Sequence, residues 1–176
     1  VIDNTSFYRM KPDVPLVVAG VNDEAMRRHA GIVANPNCST MQLMPVFKAL
    51  HEEAGLSRAI VSTYQSVSGA GKEGIEELLT NTQDFFHRAE AGDAHRMGNT
   101  QVFQRPIGFN LIPHIDVFLD EGAEKDYTKE EWKVLAETKK ILDPKIKVTC
   151  TAVRVPVFVG HSEAVNLEFV NPISAD

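Results

Sequence analysis

This sequence has little with which to cross-link itself. Its 176 residues include two cysteines, Cys38 and Cys150, 112 positions apart. Such a pair makes neither a disulfide framework nor a zinc-binding spacing, and no metal site is expected. No apolar run approaches the ~18–20 residues that a membrane span requires, and the start does not read as a secretory signal. Basic charge is also short. Lys+Arg number 18 against 24 Asp+Glu, a formal charge of −6, the opposite of the field that general nucleic-acid binding needs. Internal repeats and low-complexity tracts are lacking, and no G-x-G-x-x-G opens a helix after a strand. These absences predict a cytoplasmic protein that works on neither membranes nor nucleic acid.

What is present suits a packed domain. The chain is 43% hydrophobic and 24% charged, enough apolar material for a core, and its length suits one domain. Val1-Ile2-Asp3-Asn4 reads as the end of a strand, and no terminal element follows Asn171, so an internal piece of a longer protein is expected. Pro15–Val18 is a short β-branched run. Asn22-Asp23-Glu24 predicts a helix start leading into Ala25–His29, Gly31 its end, and Ile32–Ala34 a buried strand. From Ser39 to Ala54, Met41, Met44, Phe47 and Leu50 recur at helical spacing, with Pro45 inside the run and Gly55 as its stop. Leu56–Val67 predicts a strand that Ser68-Gly69-Ala70-Gly71 breaks.

Lys72–Ala89 predicts a helix whose apolar face carries Ile75, Leu78, Leu79, Phe85 and Phe86. Gly92–Asn110 is a Gly/Pro-punctuated loop of uncertain shape; such connections are usually functional, mobile or part of a partner surface. Thr128, with Glu131 three residues on, predicts a capping box for a helix over 128–142. Lys145–Val153 alternates, with Ile146, Val148, Cys150 and Ala152 on one side, and Ala164–Val170 alternates with Val165, Leu167 and Phe169. The order of elements predicts an α+β fold: a mixed, largely antiparallel sheet covered by helices on one face.

Ile32-Val33-Ala34-Asn35-Pro36-Asn37-Cys38-Ser39-Thr40 carries the most chemistry. A strand, a tight turn and a helix put Cys38 at a helix N-terminus, where unpaired N–H groups and the dipole favour a thiolate and could hold an oxyanion. The alternative is a small buried cysteine that fills space. Cys150, mid-strand on the apolar side, reads as structural. His29, His51, His87 and His95 sit in polar contexts that suit solvated side chains, and His114 suits a satisfied buried ring. His161 differs, because Arg154-Val155-Pro156-Val157-Phe158-Val159-Gly160 delivers an arginine and then a Gly-His turn. An arginine on a β-rich segment is expensive to bury without an anion, so a carboxylate ligand is inferred.

Three motifs, Asn35-Pro36-Asn37-Cys38-Ser39-Thr40, Tyr64-Gln65-Ser66-Val67-Ser68-Gly69-Ala70-Gly71 and Arg154 through Ser162, together closely resemble the aspartate-β-semialdehyde dehydrogenase family. So does the start, Asp3-Asn4-Thr5-Ser6-Phe7-Tyr8-Arg9 followed by Pro12–Val17. The matches fall in family order over essentially the whole chain. The resemblance implies NADP-dependent reductive dephosphorylation of aspartyl-4-phosphate, on the route to lysine, threonine, methionine and diaminopimelate. It implies Cys38 as nucleophile, His161 as acid/base and Gln65 as the residue that orients the substrate or acyl-enzyme. Arg154 would bind the substrate carboxylate and Glu130 its amine. Arg9, Asn37 and Lys133 would form the phosphate site, and Ser68 and Gly69 would lie near the nicotinamide nucleotide.

What is missing is the family's N-terminal dinucleotide-binding domain. Residues 1–176 are therefore expected to be the catalytic and dimerisation domain alone, with the fold of the glyceraldehyde-3-phosphate dehydrogenase C-terminal domain and a homodimer or dimer of dimers as its assembly. Two alternatives stand beside this: an N-acetyl-γ-glutamyl-phosphate reductase-like enzyme, and a non-catalytic dimerisation module.

Overall fold

Strand β3 (Leu56–Gln65) is the spine of the molecule. Its even alternation of Ala59, Val61, Thr63 and Gln65 places those four side chains on one buried face. It pairs in parallel with β4 (Lys147–Arg154) and antiparallel with β5 (His161–Phe169), giving the order β4-β3-β5. The computed structural model describes residues 1–93 and 98–174, and His95 lies outside them. The sheet is mixed, as expected, with one pairing of each kind among the described residues. A separate parallel pair, β1 (Ile2–Asp3) and β2 (Val33–Ala34), leads into the turn before Cys38.

Helices α1 (Cys38–Ala54) and α3 (Lys129–Ile141) cover one face of the larger sheet and pack on each other. Phe47, Met44, Val61, Val134 and Ile146, all under 2% exposed, meet there. Pro45 does not interrupt α1, and Gly55 ends it with φ +72°. That left-handed turn is open to glycine at low cost. Thr128 and Glu131 form the expected capping box, and Glu131 also accepts the Ala152 N–H at 3.1 Å, tying the head of α3 to β4. Helix α2 (Lys72–Glu90) packs elsewhere, over Val67, Phe103, Ile107 and Ile112.

Two local expectations change. Residues 23–28 form a 3-10 helix, because Asn22 spends its side chain on Val18 N–H and Leu16 C=O instead of capping. On α2, Leu78 is buried, but Leu79 and Phe86 of the expected apolar face are about half exposed at 49% and 54%. The described part of the 92–110 connection is anchored. Glu77 accepts the N–H groups of Gln101 and Val102, Asn81 accepts that of Ile107 at 2.8 Å, and Phe103 and Ile107 are buried. Among the described residues, no helix is long and apolar enough to cross a membrane.

Candidate active site

Strand register assembles the centre of the site. Gln65, the last residue of β3, sits beside Arg154, the last of β4, and beside His161, the first of β5. Three side chains separated by 89 and then 7 positions in sequence thus share one end and one face of a sheet. Parallel strands pointing their carboxyl ends at one place make such a confluence a frequent binding locale.

Cys38 is the first residue of α1, exposed at the rim of a cavity of about 590 Å³ lined also by Asn4, Arg9, Asn35, Asn37 and Gly69. Asn37 caps the helix: its Oδ1 accepts the Ser39 N–H at 2.9 Å and lies 4.0 Å from the Cys38 Sγ. The helix terminus does act on the thiol, since Ser39 pulls it toward ionisation. Protein packed beside it and the nearby Glu130 charge act the other way and win, so Cys38 is pushed above the ordinary thiol range. The thiolate expected from helix position alone is therefore not the resting form.

Glu130 is the electrostatic hub. One carboxylate oxygen accepts from Asn37 Nδ2 at 2.9 Å and Gln65 Nε2 at 3.0 Å, while the other accepts from Lys133 Nζ at 2.9 Å. Burial alone would raise its carboxyl; Lys133 and these donors outweigh that and hold it below the usual range. Lys133, raised by Glu130, also meets Asp116 at 3.2 Å. Arg9 is buried and pairs with Glu137 at 3.2 Å, and the other oxygen of Glu137 accepts the Asn37 N–H at 2.7 Å. Arg9 and Lys133 do not touch each other; each reaches Asn37 through one glutamate.

Arg154 stands apart. It is 6% exposed, its Nη1 donates to Ser66 C=O at 2.6 Å, and its guanidinium lies 5.7 Å from the Phe103 ring centroid. Among the described residues no carboxylate lies within ion-pair distance of it. Burial lowers its tendency to hold the proton, and the charge of Glu130, beyond ion-pair distance, offsets that only in part. Beside it, His161 Nδ1 accepts the Ser66 N–H at 3.1 Å, which leaves the neutral ring its proton on Nε2. Burial, with Arg154 nearby, lowers His161 and keeps it neutral. Gly69 completes the wall: a Cβ there would come within 3.1 Å of Arg154 Nη1 and 3.4 Å of His161 Nε2. Ser68 Oγ meets Ser66 Oγ at 2.9 Å.

Residues 47–176 match the family model for the semialdehyde dehydrogenase dimerisation domain. The chain belongs to the semialdehyde dehydrogenase family. The aspartate-semialdehyde dehydrogenase of Aquifex aeolicus is 49% identical over 100% of this chain and 50% of its own length. That of Legionella pneumophila is 48% identical over 100% of this chain and 48% of its own. A crystal structure of aspartate semialdehyde dehydrogenase II from Vibrio cholerae, complexed with ASA, superposes with a TM-score of 0.86 at 47% identity. It covers 98% of this chain and 49% of that one. The chain thus spans about half the length of the curated relatives it matches.

Three further histidines have other partners. His29 accepts the Gly31 N–H, His51 lies 3.9 Å from Asp143, and His114 lies against the Phe118 ring at 4.6 Å. Cys150 is buried, with its thiol raised further than that of Cys38. Glu137, Asp116 and Ser66 were not singled out in the sequence, yet they hold Arg9, Lys133, and the Arg154–His161 pair respectively. Their pairings join segments far apart in the chain, which no local pattern announces.

Proposed function

We propose that this chain is the catalytic half of an enzyme that converts L-aspartyl-4-phosphate to L-aspartate 4-semialdehyde with NADP, in amino-acid biosynthesis leading to lysine, threonine, methionine and diaminopimelate. The observation that supports it best is Arg154, a buried guanidinium with no carboxylate in ion-pair distance among the described residues, level with Gln65 and His161 at one strand end. A substrate carboxylate supplies the missing counter-ion, bound bidentately. Glu130, ionised among its three donors, suits a substrate ammonium, and Arg9, beside the Cys38 cavity with Asn37, suits phosphate.

Cys38 loses its proton to solvent at the cavity rim and, as the thiolate, attacks the acyl carbon; the C–S bond forms, and the C–O bond to phosphate breaks with its electrons on the leaving group. Reduction of the thioester would draw its hydride from NADPH, which the Ser68–Gly69 turn would help to hold. The Ser68–Gly69 turn would border the nicotinamide end, since the missing Cβ of Gly69 lets the backbone pack directly against Arg154 and His161. His161 donates from Nε2 to the oxygen as charge develops there. That hydrogen bond holds the oxyanion until it collapses, when the C–S bond breaks with its electron pair returning to Cys38 and the aldehyde leaves. The Asn37 cap holds the turn in register for this attack.

The proposed assembly is a homodimer or a dimer of dimers, supported by the family description and by apolar surface. Phe85, Phe86 and Phe109 form one ring cluster, with Phe86 and Phe109 more than half exposed.

A discriminating test offers the complete enzyme aspartate semialdehyde and N-acetyl-glutamate semialdehyde, each with phosphate and NADP. Turnover of the free amino acid alone is expected. Preference for the acetylated aldehyde would overturn the role of Glu130 and favour the N-acetyl-γ-glutamyl-phosphate reductase alternative.

A further inference from the structure

Glu137 is a buried carboxylate that the proposed reaction does not use, with a side chain only 1% exposed. It lies two helical turns beyond Glu130 on α3, so both face inward along one stripe. Glu130 grips the side chain of Asn37, and Glu137 grips its backbone N–H at 2.7 Å. The second oxygen of Glu137 accepts from Arg9 Nη1 at 3.2 Å. No other side chain among the described residues bonds both the arginine of the cavity and the peptide preceding Cys38. Among the described residues, Arg9 otherwise donates only to the Asn4 C=O, at 3.0 Å, and its Nε is sealed without a partner. Two of its five N–H groups are thus committed there, and among the described residues Glu137 provides the only counter-charge in contact with it.

We propose that Glu137 is a positioning residue that fixes Arg9 relative to the Cys38 turn, so that phosphate bound by Arg9 meets the thioester carbon in line. This rests on the phosphate role proposed for Arg9. In the reverse direction the Cys38 thiolate would add to the aldehyde carbon, and the C–H bond would break with its electron pair leaving as hydride to NADP, giving the thioester without phosphate. A phosphate oxygen then attacks the acyl carbon, its C–O bond forms, and the C–S bond breaks with the electron pair returning to sulfur. Only that second half needs Arg9 in place.

Glu137→Gln separates the halves. The glutamine carbonyl keeps the shorter bond from Asn37 N–H, while its NH₂ faces Arg9 and cannot accept. Leaving a buried guanidinium without its partner displaces it. In the complete enzyme, acyl-Cys38 should form on mixing with aldehyde and NADP at the wild-type rate, read as intact mass and as the NADPH burst. Its discharge by added inorganic phosphate should slow about tenfold or more, the worth of one charge-assisted hydrogen bond. Glu137→Asp keeps the charge with a shorter reach. It should discharge faster than the Gln variant and slower than wild type, and it carries the test if the Gln variant does not fold. Unchanged discharge, or equal slowing of both halves, overturns the assignment, the latter because a merely structural role slows both. Arg9→Gln is the control: if it discharges at the wild-type rate, the phosphate role of Arg9 fails first, and this inference with it.

Discussion

Glu130→Gln should make the protein less stable and the Cys38 thiol more reactive at once. The side chain is 7% exposed and accepts three hydrogen bonds, from Asn37, Gln65 and Lys133. A glutamine oxygen can keep the two amide donors, which share one carboxylate oxygen. Its NH₂ then meets Lys133, whose remaining partner is Asp116 at 3.2 Å. Because that partner stays, the loss is one charge-assisted hydrogen bond and not a stranded ion, about 2 kcal/mol. For a domain of this size, that lowers Tm by about 4–8 °C. The sign against pH follows from the directions. Glu130 is held below the carboxylate range, so its contribution is full above that range and is lost as pH falls through its folded-state value. The Tm gap between wild type and variant should therefore close in acid. The same carboxylate pushes the Cys38 thiol up, so its removal increases the thiolate fraction at a fixed pH near neutrality. Alkylation by iodoacetamide, mapped by mass, should speed up at Cys38 and stay negligible at buried Cys150. Faster labelling at both cysteines would mean simple loosening. Unchanged or slower labelling at Cys38 would refute the electrostatic reasoning outright.

Two further predictions concern the complete enzyme. Arg154→Lys should raise KM for aspartate semialdehyde, since an ammonium cannot reproduce a bidentate contact, whereas His161→Asn should mainly lower kcat; an unchanged KM in the first would remove the carboxylate role of Arg154. Gly69→Ala puts a methyl 3.1 Å from Arg154 Nη1; it should weaken substrate binding while Tm, followed by circular dichroism, moves little.

The sequence shows the outline of this site because its pieces lie next to structural punctuation. The Asn-Pro-Asn turn announces a helix start at Cys38, and the Gly160-His161 pair announces a turn entering a strand. The capping box at Thr128 was equally visible, because both its partners lie within four residues. The middle of α3 was not. Glu137, in Ala136-Glu137-Thr138-Lys139-Lys140, reads as a solvated position until Arg9, 128 positions away, is folded against it. The one local hint is its place on a stripe with Glu130, Val134 and Ile141, all buried. Glu163, two residues beyond His161 on the same face, was passed over for the same reason; burial pushes it up to about 7. The direction of the Cys38 shift was missed because helix position is local, whereas the protein crowding the thiol and the Glu130 charge are tertiary.

The charges of the site differ in how they are compensated, and that difference fits the order of the proposed chemistry. Arg9 and Lys133, the two cations assigned to phosphate, are each neutralised in advance by a carboxylate within hydrogen-bond reach, Glu137 and Glu130. An anion that binds them gains only what it adds to pairs already formed, so its hold is moderate. Arg154 has no carboxylate within ion-pair distance among the described residues, and an anion that reaches it relieves a buried charge that Glu130 offsets only from further away. The substrate carboxylate must stay bound through acylation and reduction, whereas phosphate must enter or leave between the two. A site with all three cations equally bare would bind phosphate as firmly as the carboxylate and be slowed by its own leaving group. Pre-paired cations for the group that departs, and an unpaired one for the group that stays, give the two anions the unequal lifetimes that the reaction requires.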